Sequence, residues 1–251
     1  MEKTAKEKRS FKPVISYRKI RPSNIMSDEY RHMFYLLFWP IFMATFYYIE
    51  LLYPTHYEMI TGKALTYFPM HSVLDEMIPF AEIFAVPYMF WFIFVFLMHI
   101  YTLYYDIDAF KKMIKFIIFS YSIALATFII FPNCQQLRPS VIVDDNIFAT
   151  VVRGIYEADT NTNVCPSIHV LGSVAVMFAA IDSKTIKSIA WKVAISVMAI
   201  LICLSTVFLK QHSVLDVIAA IPVCIIGYYL CFVRKAKKRK HYVSNGKTIE
   251  M

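Results

Sequence analysis

The chain has 251 residues, of which 58% are hydrophobic and only 18% charged, above the roughly 45–50% apolar usage of an average soluble domain. Its formal net charge of +8 does not point to nucleic acid, because the basic residues cluster between and beyond apolar runs, a placement that sets orientation in a membrane protein. Five glycines, with no GxGxxG or GxxxxGK(S/T) sequence, argue against a nucleotide-binding loop.

Residues 1–32 are polar and basic and lack the apolar core of a secretory signal, so the first apolar run is expected to act as an uncleaved anchor. Five runs reach the ~20 apolar residues that a membrane-crossing helix needs: 33–53, 84–104, 113–132, 189–208 and 214–233. A sixth, 168–182 (IHVLGSVAVMFAAID), is shorter and opens on polar residues. Hydropathy alone leaves a re-entrant segment open there, but an even number of spans agrees with the charges. The predicted fold is therefore all-α: an integral membrane bundle of about six transmembrane helices over 33–233. A basic segment, 1–32, precedes it and a basic tail, 234–251, follows. Tyr47, Tyr48, Tyr104, Tyr105 and Trp191 sit at span ends, as expected at a lipid–water boundary. No internal repeat or low-complexity linker is evident.

Nine Lys/Arg precede the first span and seven lie from Arg234 onward, whereas the two long loops, 54–83 and 133–167, hold only Lys63, Arg138 and Arg153. The positive-inside rule then predicts a multi-pass protein of the cell membrane with both termini cytoplasmic and the long loops external. The RKAKKRK tail is a topology signal first and a site for anionic lipid head groups second. In the first loop, HSVLDEMIPF has the character of a short interfacial helix. The acidic pairs Asp75–Glu76 and Asp144–Asp145 read as solvated loop residues. No carboxylate cluster calls for a metal, and no cofactor is expected. There is no CxxC; Cys134 and Cys165 share a loop, and free thiols are expected over a disulfide.

Titratable groups gather at the external ends of separate spans, where charge is costly and usually functional or paired. His212 and Asp216 are four apart and share a helix face. A carboxylate there fixes one imidazole nitrogen and leaves the other free as a nucleophile. Pro166, Ser167 and His169 stand at a helix start, where unpaired N–H groups favour an anion and a protonated histidine can hand a proton to a leaving alkoxide. Arg138 supplies a planar fork suited to phosphate oxygens. Singly these are weak signals; a helix-surface His–Asp pair and an N-cap serine are the ordinary alternatives.

Their order carries more. FPNCQQLRP, CPSIH and STVFLKQHSVLD resemble the three signatures Kx6RP, PSGH and SRx5Hx3D of the type 2 phosphatidic acid phosphatase superfamily, in a bacterial branch with divergent first and third motifs. The resemblance covers Phe131 to Asp216, and the six-span layout extends it over most of the chain. It implies a metal-independent hydrolase acting on a lipid phosphate, with His212 as nucleophile, Asp216 orienting it and His169 as the acid. Arg138 and Ser167 are implied as phosphate ligands. Phe131, Ile168 and Thr206 replace the family Lys, Gly and Arg. Lys210 is expected as a substitute phosphate-binding cation, with Arg153 as another candidate. Substrates left open are phosphatidic acid, phosphatidylglycerophosphate and a polyprenyl diphosphate. A phosphotransferase of sphingolipid-synthase type on the same scaffold, and a non-catalytic lipid transporter or binding protein, are the alternatives. The expected partners are the lipid phosphate and the surrounding membrane lipids.

Overall fold

The computed structural model describes residues 13–143 and 145–234. The apolar runs form helices, because a segment in lipid has no water for its backbone N–H and C=O groups and must pair them internally. In chain order these are α1 (Phe38–Tyr47), α2 (Tyr53–Thr61), α3 (Val73–Met77), α4 (Ala85–Tyr105), α5 (Ile107–Ile130), α6 (Ile147–Ala158), α7 (Ile168–Asp182), α8 (Ile189–Phe208) and α9 (Val214–Tyr228). Two short strands, β1 (Phe68–Pro69) and β2 (Asn133–Cys134), accompany them. A 3-10 stretch, Arg31–Leu37, leads into α1 and a π turn, Tyr48–Leu52, joins α1 to α2, making one unit, Arg31–Thr61; a π turn at Tyr229–Val233 prolongs α9. Among the described residues, five helical units are long and apolar enough to cross a membrane: Arg31–Thr61, Glu82–Tyr105, Ile107–Ile130, Ile189–Phe208 and Val214–Val233. Phe92, Phe96, Val193, Ile200, Ile221 and Ile225 point outward from them, the arrangement of a bundle solvated by lipid rather than water.

α7, expected as a sixth span, is apolar but shorter than those five. Its 15 residues rise about 22 Å, less than the ~30 Å hydrocarbon thickness. It is the central helix: Leu171, Gly172, Ser173, Ala175, Ala179 and Ala180 are buried, and small residues of this kind let α5 and α8 approach closely. Its far end is tied by Lys112 Nζ to Asp182 at 2.6 Å. There Asp106 forms the whole connection between α4 and α5. Its carboxylate caps α5 through Ala109 N at 3.1 Å and accepts from Ser183 Oγ at 2.7 Å and Lys184 N at 2.9 Å. Burial works against that charge, but these hydrogen bonds outweigh it and hold the Asp106 carboxyl below its usual range. Part of the basic N-terminal segment packs here too: Tyr17 Oη donates to Leu103 O at 2.7 Å and meets buried His32 at 2.8 Å. The basic tail beyond Arg234 and its expected lipid contacts lie outside the described residues.

The opposite end is more ordered than two long loops suggest. α2 carries the first span on to Thr61, well past the expected limit at 53. The HSVLDEMIPF segment does form a short helix, α3. β1 pairs in parallel with β2, Phe68 beside Asn133 and Pro69 beside Cys134. Within the second loop α6 buries Ala149, Val152 and Ile155, a three-residue spacing legible as a helix face, against Ala85, Tyr88 and Leu209. All five cysteines are free thiols.

Candidate active site

Three chain segments meet at this end: the start of α7, the α8–α9 turn, and the loop on either side of α6. The α8–α9 turn is built by a helix stop. Lys210 adopts a left-handed backbone, φ 52°, and its N–H reaches Val207 O at 3.0 Å while Gln211 N reaches Thr206 O at 3.0 Å. That is a Schellman closure, with lysine at the position usually held by glycine. His212 N also bonds Thr206 O at 3.0 Å. α9 then starts at once through a capping box of Ser213 and Asp216.

Within this turn Asp216, fully buried, accepts from His212 Nδ1 at 3.2 Å and from Ser213 N at 2.9 Å, both on Oδ2. The shared bond fixes the imidazole against the helix start. With Nδ1 committed to the carboxylate, Nε2 is the nitrogen left for chemistry. His169, in the first turn of α7, lies with its ring centroid 5.6 Å from that of His212, the two planes at 67°. Two rings of α4 hold His169 in place: Tyr88 stacks on it at 4.6 Å and Trp91 at 4.4 Å. Ser167 caps α7, its Oγ accepting from Val170 N at 3.4 Å, and its own N–H bonds Asp216 O at 3.3 Å. The two helix starts are thus stitched directly to each other. The Cys165 thiol lies beside Asp216, and burial, reinforced by that charge, pushes it up to about 12.

Arg138 reaches the same turn, but its fork is occupied. Nη1 donates to Tyr156 O and Asp159 O at 3.2 and 3.0 Å, and Nη2 to Thr160 O and Gln211 Oε1 at 2.8 and 2.7 Å. A guanidinium has five N–H donors; four are spent on the protein, and only Nε–H has no protein partner. Nε is itself buried, so Arg138 brings its charge to the turn but does not form the expected two-pronged clamp. Lys210 departs further from expectation. Its ammonium donates to Asp75 O at 2.6 Å and Ile78 O at 2.5 Å, so it is engaged by backbone carbonyls of the first loop rather than free for phosphate. Arg153 is held at the loop, on Ile142 O at 3.2 Å and Asp145 at 3.4 Å.

The match to known families decides the relationship. The PAP2 superfamily model, the type 2 phosphatidic acid phosphatases, matches residues 115–240, half of the chain. The chain belongs to the PAP2 superfamily. Neither the curated proteins nor the solved structures provide a match.

Where this PAP2 chain departs from the family signatures, the structure gives two of the three replacements another task. Phe131 packs on Phe68 at 5.2 Å. Thr206 is fully buried, bonds its own helix through Cys203 O at 2.8 Å, and supplies the carbonyl that closes α8. Neither can contact an anion as a cation would.

Several residues that support the site escaped the sequence reading. Asp75, expected as a solvated loop acid, is 1% exposed. Its Oδ2 accepts from Ser213 Oγ at 2.6 Å and Ser72 N at 2.8 Å, and Oδ1 from Val214 N at 2.8 Å. Its neighbour Glu76 fits the expectation, exposed and paired with His71 at 3.4 Å. Glu50, at the π turn of the first span, accepts from Thr160 and Thr162 hydroxyls at 2.6 and 2.9 Å and from Asn163 Nδ2 at 2.6 Å. An ionisable residue inside an apolar run was the available signal. Asn133 is fully buried; its Oδ1 accepts from Val164 N and Cys165 N, both at 2.8 Å. It clasps the segment that delivers Ser167, and no sequence signal marked it.

Proposed function

We propose that this PAP2 protein is a membrane-embedded lipid phosphate phosphatase working through a phosphohistidine on His212. The observation that carries the reading is the facing pair of histidines, one held by a buried carboxylate and the other by aromatic rings. His212 Nε2 attacks phosphorus as the P–O bond to the lipid breaks, and His169 gives its proton to the departing oxygen. Water then displaces the phosphoryl group from nitrogen, with His169 taking the water's proton. Charge on the phosphoryl oxygens is met by the α7 N-terminus, the Ser167 hydroxyl and Arg138. Asp216 stabilises the imidazolium and keeps its orientation.

A lipid substrate is supported by the apolar outer faces of the helices around the site, which include a groove of about 720 Å³ between α4 and α8 lined by Phe84, Val86, Phe90, Ile93, Met198 and Leu201. The basic termini favour an external site with both ends of the chain cytoplasmic.

Phosphate release from phosphatidic acid, phosphatidylglycerophosphate and a polyprenyl diphosphate, measured in detergent with EDTA present, tests the reading. Release by the wild type that disappears in His212→Ala is expected. Release that depends on an added acceptor alcohol would convert the reading to phosphotransfer. Equal rates in wild type and mutant would end it.

A further inference from the structure

One pentapeptide occurs twice in the chain: His-Ser-Val-Leu-Asp at 71–75 and again at 212–216. Both copies start helices, and both form a capping box, Ser72 with Asp75 and Ser213 with Asp216. The aspartates differ in what else they hold. Asp216 turns back to its own His212. Asp75 instead reaches across to the second copy, taking the Ser213 hydroxyl and the Val214 N–H, while His71 stays at the surface with Glu76.

The contact completes the start of α9. An α-helix leaves its first N–H groups without intrahelical partners. Here Leu215 N goes to Ser213 Oγ at 3.1 Å and Asp216 N to Ser213 O at 3.0 Å, but Val214 N is satisfied only from the other loop, by Asp75. Asp75 also adds a negative charge at the positive end of the helix. Lys210 reinforces the contact from the other direction: its ammonium holds the α3 carbonyls of Asp75 and Ile78. The same residue carries the left-handed backbone that turns the chain towards His212. Such a conformation is disfavoured for a non-glycine residue and persists only where the surroundings impose it.

We propose that Asp75 and Lys210 are positioning residues: together they form a clamp by which the first loop fixes the 209–214 turn and so sets the aim of the His212 ring at His169. Of the two, Lys210 lies inside the stretch matched by the family, 115–240, and Asp75 outside it. The clamp's kinetic readout rests on the phosphatase reading; its structural readout does not.

The test compares wild type, Asp75→Asn, Lys210→Met and Lys210→Arg by hydrogen exchange of peptides covering 209–216 and by steady-state kinetics on the preferred lipid phosphate. Asn is nearly isosteric but cannot keep every bond, because both carboxylate oxygens accept, Oδ2 from Ser213 Oγ and Ser72 N and Oδ1 from Val214 N, and an amide NH2 can accept from none of them. Asp75→Asn and Lys210→Met are expected to speed exchange across 209–216 at least tenfold with α5 unchanged. They should lower kcat about 100-fold, the scale of a small misplacement of a reacting group, with KM within about threefold. Lys210→Arg, which retains donors for the carbonyls, should stay close to wild type. Unchanged exchange and kcat in Asp75→Asn would overturn the clamp, as would a rise in KM at constant kcat, which would make these residues substrate ligands. If Asp75→Asn does not fold, Lys210→Met decides on the same two readouts. If the wild type hydrolyses no lipid phosphate, the phosphatase reading fails while exchange alone still decides the clamp.

Discussion

Gly172 lies one turn into α7, under the His169 ring, and replacing it with alanine should injure catalysis more than stability. A Cβ at this position would stand 2.6 Å from Tyr121 Oη and 3.1 Å from Trp91 Nε1. Restoring ordinary contact requires the phenol to retreat by roughly 0.8 Å, the difference between 2.6 Å and normal van der Waals separation near 3.4 Å. Tyr121 has little freedom to do so: it is fully buried, packed at 4.9 Å against Phe42, and bonded to Ile168 O at 3.2 Å. Trp91 is the ring that holds His169. Overpacking of this kind costs about 1–3 kcal/mol, offset by the gain of about 1 kcal/mol from alanine in a helix. Gly172→Ala is therefore expected to lose no more than about 2 kcal/mol of stability in a thermal melt while kcat falls about 10- to 100-fold. Tyr121→Phe removes the clashing oxygen, so in that background the alanine should cost at least 1 kcal/mol less, a coupling of the size seen between touching residues. Full activity of Gly172→Ala, or additivity of the two changes, would refute the claim that His169 is aimed by this packing.

Asp216→Asn keeps the shape of the pair but removes the charge opposite His212, and kcat should drop about 10²- to 10⁴-fold, the range of general acid–base contributions, with the melting temperature little changed. Cys165, its thiol held up at about 12, should react with maleimide at pH 8 at least 1000-fold more slowly than a free thiol of pKa about 8.5, since the thiolate is the nucleophile. Removing the neighbouring charge in Asp216→Asn lowers that pKa and should speed the labelling. Asn133→Ala strands the N–H groups of Val164 and Cys165, and a loss of about 2–4 kcal/mol is expected from two unsatisfied buried donors, read as a lower thermal midpoint accompanied by reduced kcat.

The spans were legible because lipid imposes a single requirement, an apolar run long enough to close its own hydrogen bonds. α7 was legible as a helix but falls short of the length of a span, and as an interior helix it carries small residues more than lipophilic ones. His212 and Asp216 do pair, but not on one helix face as the spacing implied: His212 precedes the Ser213 cap, and Asp216 turns back to it from the first turn of α9. The roles of the cations were not legible. Whether Arg138 or Lys210 faces an anion depends on which oxygens lie within its reach, and here backbone carbonyls of Tyr156, Asp159 and Thr160 capture one, those of Asp75 and Ile78 the other. Carbonyls carry no sequence signature. Asp75 is the instructive miss. Beside Glu76 it read as a solvated acid, yet its pentapeptide recurs at the expected nucleophile, and that recurrence was the available sign that the two loops meet. α6 was legible in principle, since Val152 and Ile155, flanked by Val151 and Tyr156, form an apolar helix face inside the loop.

The most direct test of the account is to look for the phosphoryl group itself. The wild-type protein is mixed with its best lipid phosphate in the presence of EDTA, quenched in base within milliseconds, digested, and the peptides spanning 209–216 are analysed by mass spectrometry. An acid-labile phosphoryl group on His212, absent from His212→Ala and lost on the timescale of turnover, is the predicted result. Turnover without any phosphoryl on His212, or label on a serine instead, would contradict the mechanism.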